Sequence, residues 1–207
     1  MNNKQSKAKR IFDICFSSLV FILGWPVFIL IALLIKCTSE GPCFYGSIRV
    51  GRFGKKFTCW KFRTMHKEAD LLLKNHLEQN PLSLVEWQNN YKLKNDIRIT
   101  KIGKWLRKSS LDELPQFWNV LKGDLSVVGP RPVTEEEAKL FLEKKGTKMF
   151  SLRPGLTGLW QTSGRSNLSY SERLDLEEKY INTRSFTLDL FLILKTIPLM
   201  IFPKGAF

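Results

Sequence analysis

A long apolar run near the N-terminus, interrupted by a proline, most strongly limits what this chain can fold into. Residues 11–35 read IFDICFSSLVFILGWPVFILIALLI, and Pro26 follows Gly24 and Trp25 near the middle of the run. A straight helix of about 25 residues would be about 37 Å long and would span a bilayer core of about 30 Å. Because proline lacks an N–H donor and clashes with the carbonyl group four residues earlier, Pro26 predicts a break or a kink.

Basic residues flank the apolar run on both sides. They are Lys4, Lys7, Lys9 and Arg10 before it, and Lys36, Arg49, Arg52, Lys55 and Lys56 after it. Positive residues mark the cytoplasmic side of a membrane segment, so both flanks indicate the same side. We therefore predict a re-entrant helix-break-helix, broken at Trp25 and Pro26, that enters one leaflet and returns to the same face. A kinked single-pass anchor is the alternative, and a signal peptide is disfavoured because no small-residue cleavage site follows the run.

The composition is that of a folded, strongly basic protein. The 207 residues are 43% hydrophobic, and 33 Lys+Arg against 19 Asp+Glu give a net charge of +14. Such a charge implies an anionic partner, which is nucleic acid, phospholipid headgroups or a phosphorylated substrate. Four cysteines without a C-x-x-C pair, and only two histidines, favour neither a zinc site nor a disulfide framework. We predict a membrane-anchoring segment, residues 1–36, and one further domain on the cytoplasmic side, residues 37–207.

The middle of the chain predicts a β-hairpin and then helices. The segments CFYGSIRV (43–50) and KFTCWKFRTM (56–65) are rich in β-forming residues and are separated by a glycine-containing turn. In the second segment, Lys61 and Arg63 alternate with aromatic residues, so one face can carry the cations. Arg63 is a candidate phosphate ligand, against the alternative of a solvated face. Residues 66–94 have helical periodicity that is broken by Asn80-Pro81.

The C-terminal segment, residues 185–202, is apolar but short, and it is interrupted by Asp189, Lys195 and Pro198. This pattern suits an amphipathic helix in the membrane interface better than a helix that crosses the membrane. A helix buried against the domain core is the competing interpretation.

The segment SSLDELP, residues 109–115, contains an acidic pair in a basic neighbourhood. Ser110 and Glu113 have the spacing of a capping box. Pro115 would then lie inside the helix and clash with the preceding turn. A helix that starts near Asp112 or Glu113 avoids this clash and places Asp112 at the positive helix end. An ionised carboxylate there can hold a divalent cation and attack a phosphate.

Two glycine- and proline-rich segments follow, GDLSVVGPRP (123–132) and RPGLTGLWQTSGR (153–165). We predict loops that carry Arg131, Arg153 and Arg165. Backbone amides and guanidinium groups in such loops can bind phosphate oxygens. Ordinary loop geometry is the alternative for any one of these arginines.

Taken together, the motifs resemble the bacterial sugar transferase family, which comprises small monotopic phosphoglycosyl transferases. The motifs that carry the resemblance are KRIFDI, KFRTM, R-x4-DE-L-P-Q-x2-NVLKGD-x-S-x-VGPRP and RPG-x-TG-x-WQ-x-SGR, in this order. The resemblance implies a mostly helical α+β domain with a re-entrant membrane helix, a small β-hairpin and amphipathic interfacial helices. It also implies a monotopic protein at the cytoplasmic face of the bacterial inner membrane. Its expected reaction transfers a sugar 1-phosphate from a UDP-sugar to undecaprenyl phosphate, with Mg²⁺ as cofactor.

The resemblance also implies roles for individual residues. Asp112 would be the nucleophile and a metal ligand, Glu113 its catalytic partner, and Pro26 the helix-breaking proline. The implied phosphate ligands are Arg63, Arg107, Arg131, Arg153 and Arg165, and the implied nucleotide and sugar loop contains Gly155, Gly158, Gln161 and Gly164. A homodimer is compatible with this interpretation, and no nucleic-acid partner is expected.

A different class of protein is the alternative, namely a membrane-tethered basic protein that binds nucleic acid or anionic lipid without catalysis. Against it, the cations are not gathered with aromatic residues into a nucleic-acid-binding signature. The polytopic phosphoglycosyl transferases are a further rival, but they need many apolar spans and this chain has at most two.

Overall fold

The computed structural model describes residues 7–90, 93–164 and 168–201. Most of these residues are helical, and short strands form two small sheets, which confirms the predicted mostly helical architecture. The helices are α1 (Lys7–Thr38), α2 (Ala69–Gln79), α3 (Pro81–Asn90), α4 (Lys101–Ser109), α5 (Gln116–Lys122), α6 (Glu135–Lys145), α7 (Leu159–Ser163), α8 (Tyr170–Thr183) and α9 (Phe186–Ile201). The strands are β1 (Phe44–Val50), β2 (Lys56–Phe62), β3 (Ser126–Val128) and β4 (Gly155–Thr157).

Helix α1 runs without interruption through Pro26, so the predicted break is absent, and a contact between two phenylalanines indicates a bend instead. The ring centroids of Phe21 and Phe28 are 5.1 Å apart. In a straight helix, Cα atoms seven residues apart are separated by about 10.5 Å along the axis. At about 100° per residue, both rings lie roughly opposite Pro26. A proline bends a helix away from its own ring, so the two phenylalanines meet on the concave side.

The N-terminal part of α1 docks on the domain through polar side chains. The Arg10 guanidinium donates to the carbonyl oxygens of Val120 and Leu121 at 2.6 and 2.7 Å, at the end of α5. The fully buried carboxylate of Asp13 accepts hydrogen bonds from the Ser126 hydroxyl and the Val127 amide at β3. These contacts fix the start of α1 against α5 and β3.

The C-terminal part of α1 docks on the same domain through apolar side chains. Ile31 and Ile35 are buried against Phe62 of β2 and Leu106 of α4. The helix is long and apolar enough to cross a membrane, yet only 11% of its most apolar stretch is buried. Its middle is exposed and includes Leu19, Ile22, Leu23, Trp25 and Leu30. The ends are therefore held by protein, and the middle presents an apolar surface.

The predicted hairpin and the helical pair that follows it are confirmed. Strands β1 and β2 are antiparallel, with Val50 opposite Lys56 at the turn. Asn119 of α5 binds the edge of β2, because its carbonyl accepts from the Trp60 amide at 3.1 Å and its amide donates to the Thr58 carbonyl at 2.7 Å. Helices α2 and α3 are separated at Asn80-Pro81, as the periodicity predicted.

The two glycine- and proline-rich segments contain regular structure that the prediction of loops missed. Strands β3 and β4 pair in parallel, with Ser126 opposite Gly155. A Cβ atom at Gly155 would lie 2.0 Å from the backbone nitrogen of Gly129, so only glycine permits this approach. The pairing brings the GPRP turn after β3 beside the turn after β4.

Helix α9 combines the two interpretations of the C-terminal segment. Asp189 and Leu192 are buried against the domain, whereas Phe191, Leu194 and Ile197 are exposed. Lys9 of α1 forms an ion pair with Asp189 at 2.6 Å, which joins the first helix to the last. Placement of the exposed face in a membrane interface stays a prediction.

Candidate active site

The acidic pair lies in a tight connection between α4 and α5. Helix α4 ends at Ser110, which has a left-handed conformation with φ 58° and whose side chain makes no cap hydrogen bond. The capping-box interpretation is therefore wrong. Residues Leu111–Glu113 form a 3-10 turn, and α5 begins at Gln116, later than the predicted start near Asp112 or Glu113. Pro115 has no N–H to donate to the carbonyl of Leu111, which separates the turn from the helix.

Asp112 is the most enclosed member of the site, with 7% of its surface exposed. Burial raises the pKa of its carboxyl group to about 6, and the nearby Glu113 carboxylate acts in the same direction. Lys61 and Arg107 oppose the increase, and the Lys61 ammonium nitrogen lies 3.9 Å from the Asp112 carboxylate. Asp112 is thus poised to change protonation state just below neutral pH.

Lys61 is a site residue that the sequence prediction missed. It projects from β2, and its ammonium nitrogen donates to the Glu113 carboxylate at 2.5 Å. Burial lowers the pKa of Lys61, but the carboxylates of Glu113 and Asp112 outweigh it, and the net shift is upward. Lys61 therefore stays charged beside both acids. The available sequence signal was the alternation of Lys61 and Arg63 with aromatic residues, but this signal did not distinguish Lys61 from Arg63.

Arg107 reaches the site from the last turn of α4. Its Nε atom donates to the Thr64 hydroxyl at 2.8 Å, which fixes the guanidinium group behind the acidic pair. Burial lowers the pKa of Arg107, and the Asp112 carboxylate counteracts the decrease. The structure thus brings Arg107 together with Asp112, as the prediction required.

Arg131 approaches from the GPRP turn after β3. Burial lowers the pKa of its guanidinium group, and the Glu113 carboxylate is close enough to counteract this effect. The guanidinium carbon lies 4.8 Å from the ring centroid of Trp160. The backbone amide of Arg131 donates to the Glu177 carboxylate at 3.0 Å. Arg131 therefore lies near Glu113, although it comes from a different part of the chain than Arg107.

Two predicted phosphate ligands lie elsewhere in the described structure. The guanidinium group of Arg63 donates to the carbonyl oxygens of Ser39 and Glu40 in the turn after α1, and to the Ser39 hydroxyl. Arg153 donates to the Gly123 carbonyl at 2.7 Å, at the C-terminal end of α5. The structure does not place either group with Asp112, and their phosphate roles stay predictions. Arg165 lies outside the described residues.

The predicted nucleotide and sugar loop borders this region through its backbone. Gly155 is in β4, and Gly158 precedes α7, with its Cα so close to Gly129 that a Cβ atom would lie 2.3 Å from the Gly129 carbonyl oxygen. Gln161 is in α7, and Gly164 follows that helix with φ 145°. No contact in the structure tests a nucleotide or sugar role for these residues.

The donor set fits a magnesium ion that is shared with a substrate. Within the described ranges, no group of three or more His, Cys, Asp or Glu side chains is arranged to hold a metal. Mg²⁺ is commonly bound by one or two carboxylates together with substrate phosphates. The adjacent carboxylates of Asp112 and Glu113 supply this chemistry, although Lys61 already neutralises part of their charge.

An ionisable carboxylate beside Lys61 and Arg107, with Arg131 near the adjacent Glu113, on a domain with a long exposed apolar helix, is suited to phosphorylated substrates at a membrane. The chain belongs to the bacterial sugar transferase family, a family of phosphoglycosyl transferases, which it matches over residues 4–203. This membership supersedes the non-catalytic alternative.

The chain resembles relatives of nearly its own length and also relatives that are more than twice as long. The exopolysaccharide production protein ExoY of Rhizobium meliloti is 44% identical over 200 residues, which are 97% of this chain and 88% of the relative. The undecaprenyl-phosphate galactose phosphotransferase of Salmonella typhimurium is 42% identical, over 96% of this chain but 41% of the relative. The UDP-glucose:undecaprenyl-phosphate glucose-1-phosphate transferase of Klebsiella pneumoniae is 40% identical, over 91% of this chain and 39% of the relative. The chain thus has nearly the length of ExoY and matches less than half of the longer relatives.

Proposed function

We propose that this enzyme transfers a sugar 1-phosphate from a UDP-sugar to undecaprenyl phosphate and releases UMP, through a covalent intermediate on Asp112. The observation that supports it best is the buried Asp112 carboxylate, which lies beside Glu113, Lys61 and Arg107, while Arg131 lies near Glu113. Phosphoryl transfer depends mainly on positioning and on stabilisation of phosphate charge. Galactose and glucose are the first sugars to test, because the names of two relatives specify them.

The proposed reaction consists of two displacements at one phosphorus. In the first, a carboxylate oxygen of Asp112 forms a bond to the sugar-linked phosphorus of the donor. The bond from that phosphorus to the bridging oxygen breaks, and UMP leaves with the electron pair. In the second, a phosphate oxygen of the lipid acceptor attacks the same phosphorus and releases the Asp112 carboxylate. The product is a lipid-linked diphosphate sugar, and ping-pong kinetics follow.

The cations have separate tasks in this scheme. Lys61 bridges Asp112 and Glu113 and limits the repulsion between the carboxylate nucleophile and an anionic donor. Arg107 and Arg131 can bind phosphate oxygens through paired N–H donors. Asp112 would hold Mg²⁺ together with the diphosphate, and the ion would neutralise phosphate charge.

We also propose that α1 is re-entrant and that the protein is monotopic at the cytoplasmic face of the inner membrane. Both ends of α1 contact one domain, since Asp13 binds β3 and Ile35 packs against β2 and α4. A helix whose ends rest on the same domain keeps both ends on one side of the bilayer. The exposed middle of α1 would then enter the lipid from that side, beside an acceptor whose phosphate stays at the interface.

The nucleophile is tested by trapping and by substitution. Incubation with a UDP-sugar labelled in the sugar, without acceptor, should yield a mass increase on the peptide that contains Asp112. Asp112→Asn should abolish both UMP release and the adduct while the protein remains in the membrane fraction.

The matched control is Asp175→Asn, which removes an exposed carboxylate on α8 and should leave turnover near that of the wild type. Product formation without any adduct on Asp112, or normal turnover by Asp112→Asn, would refute the assignment.

A further inference from the structure

Trp160 contacts two guanidinium groups, only one of which belongs to the proposed phosphate site. The ring centroid is 4.8 Å from the guanidinium carbon of Arg131 and 5.0 Å from that of Arg173. Guanidinium groups are attracted to the negative face of an indole ring, and Arg stacks on such faces readily. Trp160 thus links the GPRP turn to α8.

Helix α8 holds the same turn by a second contact. Arg173 and Glu177 are four residues apart and share one face of α8. Glu177 is fully buried, and one of its carboxylate oxygens accepts the backbone N–H of Arg131 at 3.0 Å. Arg173 is itself fixed by the Glu137 carboxylate of α6 at 2.8 Å. The backbone and the side chain of Arg131 are therefore both fixed from α8, the side chain through Trp160.

The contacts that hold Arg131 leave the N–H donors of its guanidinium group unused. No other side chain in the described part of the chain accepts a hydrogen bond from its guanidinium group. A carboxylate partner would orient an arginine equally well but would occupy N–H groups that a phosphate needs. Contact with the Trp160 ring holds the guanidinium group without a hydrogen-bond acceptor, so its N–H donors stay available to a phosphate.

Several polar groups around Trp160 are buried, whereas apolar side chains would fill the same space more favourably. Among the described residues, the second Glu177 carboxylate oxygen, the Trp160 indole nitrogen, and Nε and Nη2 of Arg173 are buried without a hydrogen-bond partner. Unsatisfied buried polar groups oppose folding, and apolar side chains of similar size would avoid that penalty. These polar groups lie beside Arg131, where packing alone does not require them.

We propose that Trp160, Glu177 and Arg173 are positioning residues that hold the Arg131 guanidinium group open toward the donor diphosphate beside Glu113. Glu177 fixes the backbone of the turn, Trp160 orients the guanidinium group, and Arg173 contacts the same indole ring. The inference rests on the proposed function, because it assigns the donor diphosphate as the ligand of Arg131.

The test compares conservative and disruptive substitutions in steady-state assays of UMP release from UDP-galactose and UDP-glucose. Trp160→Leu removes the stacking face and should lower kcat/KM about tenfold, whereas Trp160→Phe should recover part of the loss. Glu177→Met removes the acceptor of the Arg131 amide and should lower kcat/KM by a similar factor. Glu177→Gln keeps an acceptor and should retain most of the activity. Lys179→Ala, at an exposed position of α8, is the control.

A double-mutant cycle separates positioning from folding. In an Arg131→Ala background, Trp160→Leu should cause little further loss, because the group that it positions is absent. Equal losses in both backgrounds would overturn the proposal, as would wild-type kcat/KM in a Trp160→Leu protein whose thermal unfolding is unchanged. Failure of the wild type to release UMP from any UDP-sugar would instead contradict the proposed function, so the two failures are distinguishable.

Discussion

At the scale of single residues, opposing electrostatic effects act on Asp112. Burial and Glu113 favour its neutral form, whereas Lys61 and Arg107 favour the carboxylate. The result is a pKa of about 6 for a group that, in the proposed reaction, must be ionised to attack phosphorus. Lys61 has particular influence because it contacts both acids.

The first prediction concerns the pH dependence of the donor half-reaction. Protonated Asp112 cannot attack, so the rate constant for UMP release without acceptor should fall as the pH drops through about 6. Lys61→Gln removes a charge that lowers the pKa of Asp112, and the acidic limb should then move to higher pH. Omitting the acceptor ensures that its phosphate does not titrate in the assay. A limb at the same pH in both proteins would contradict this account of the site.

The sequence predicted part of this site, and its limits have physical causes. The motif around Asp112, together with Arg107 and Arg131, was sufficient to predict residues that converge. Arg63 and Lys61 occupy equivalent positions in the alternation of β2, but β2 ends at Phe62. Arg63 lies just beyond that end, and its guanidinium group binds the turn after α1 instead of the acidic pair. No local pattern shows where a strand will end its pairing.

At the scale of elements, one close contact sets the position of α4 relative to the segment after β2. A Cβ atom at Gly103 would lie 2.0 Å from the Thr64 carbonyl oxygen, which is a backbone atom. The Thr64 hydroxyl also accepts the hydrogen bond from Arg107. The same contact therefore contributes to packing and to placement of the arginine.

The second prediction is that Gly103→Ala forces α4 away from Thr64. Overpacking of this kind costs about 1–3 kcal/mol. The midpoint of thermal unfolding should fall by about 2–4 °C for each kcal/mol in a chain of this size. UMP release should decrease as well, because Arg107 moves with α4. Lys104→Ala, at an exposed position of the same helix, should change stability by less than about 0.5 kcal/mol. If the midpoint of thermal unfolding of Gly103→Ala equals that of the wild type, α4 can shift without loss of stability and the prediction is wrong.

Elements with strong local signals were predicted, and those that depend on distant pairing were not. Pro81 and the glycines of the hairpin turn mark boundaries that the structure confirms. Strands β3 and β4 have three residues each and pair in parallel across an intervening helix, α6. Three residues carry no usable periodicity, and their glycine-rich surroundings are typical of loops. The capping-box spacing at Ser110 was likewise a local signal that the left-handed end of α4 overrode.

At the scale of the whole molecule, the long apolar helix α1 and the positive net charge would both favour contact with a membrane. The two ends of α1 rest on the domain, while its middle and one face of α9 expose apolar side chains. A net charge of +14 supports seating on anionic lipids, at about 1 kcal/mol for each well-placed cation.

The third prediction tests the topology of α1 by cysteine labelling. The variant carries Asn3→Cys and serine in place of Cys15, Cys37 and Cys43, and it retains the buried Cys59. In right-side-out vesicles, a membrane-impermeant maleimide should label residue 3 only after permeabilisation. A parallel protein with Cys37 as its exposed thiol should behave in the same way, because both ends lie on the cytoplasmic side. Labelling of residue 3 from the outside would refute the re-entrant topology.

The ion pair between Lys9 and Asp189 also has a consequence for biosynthesis. The two residues are 180 positions apart, and the Asp189 carboxylate also accepts a hydrogen bond from Tyr180. During translation, α1 emerges from the ribosome long before its anionic partner has been made. The start of α1 therefore acquires its native charge partner only once α9 has been synthesised, so this contact between α1 and the domain forms late in translation.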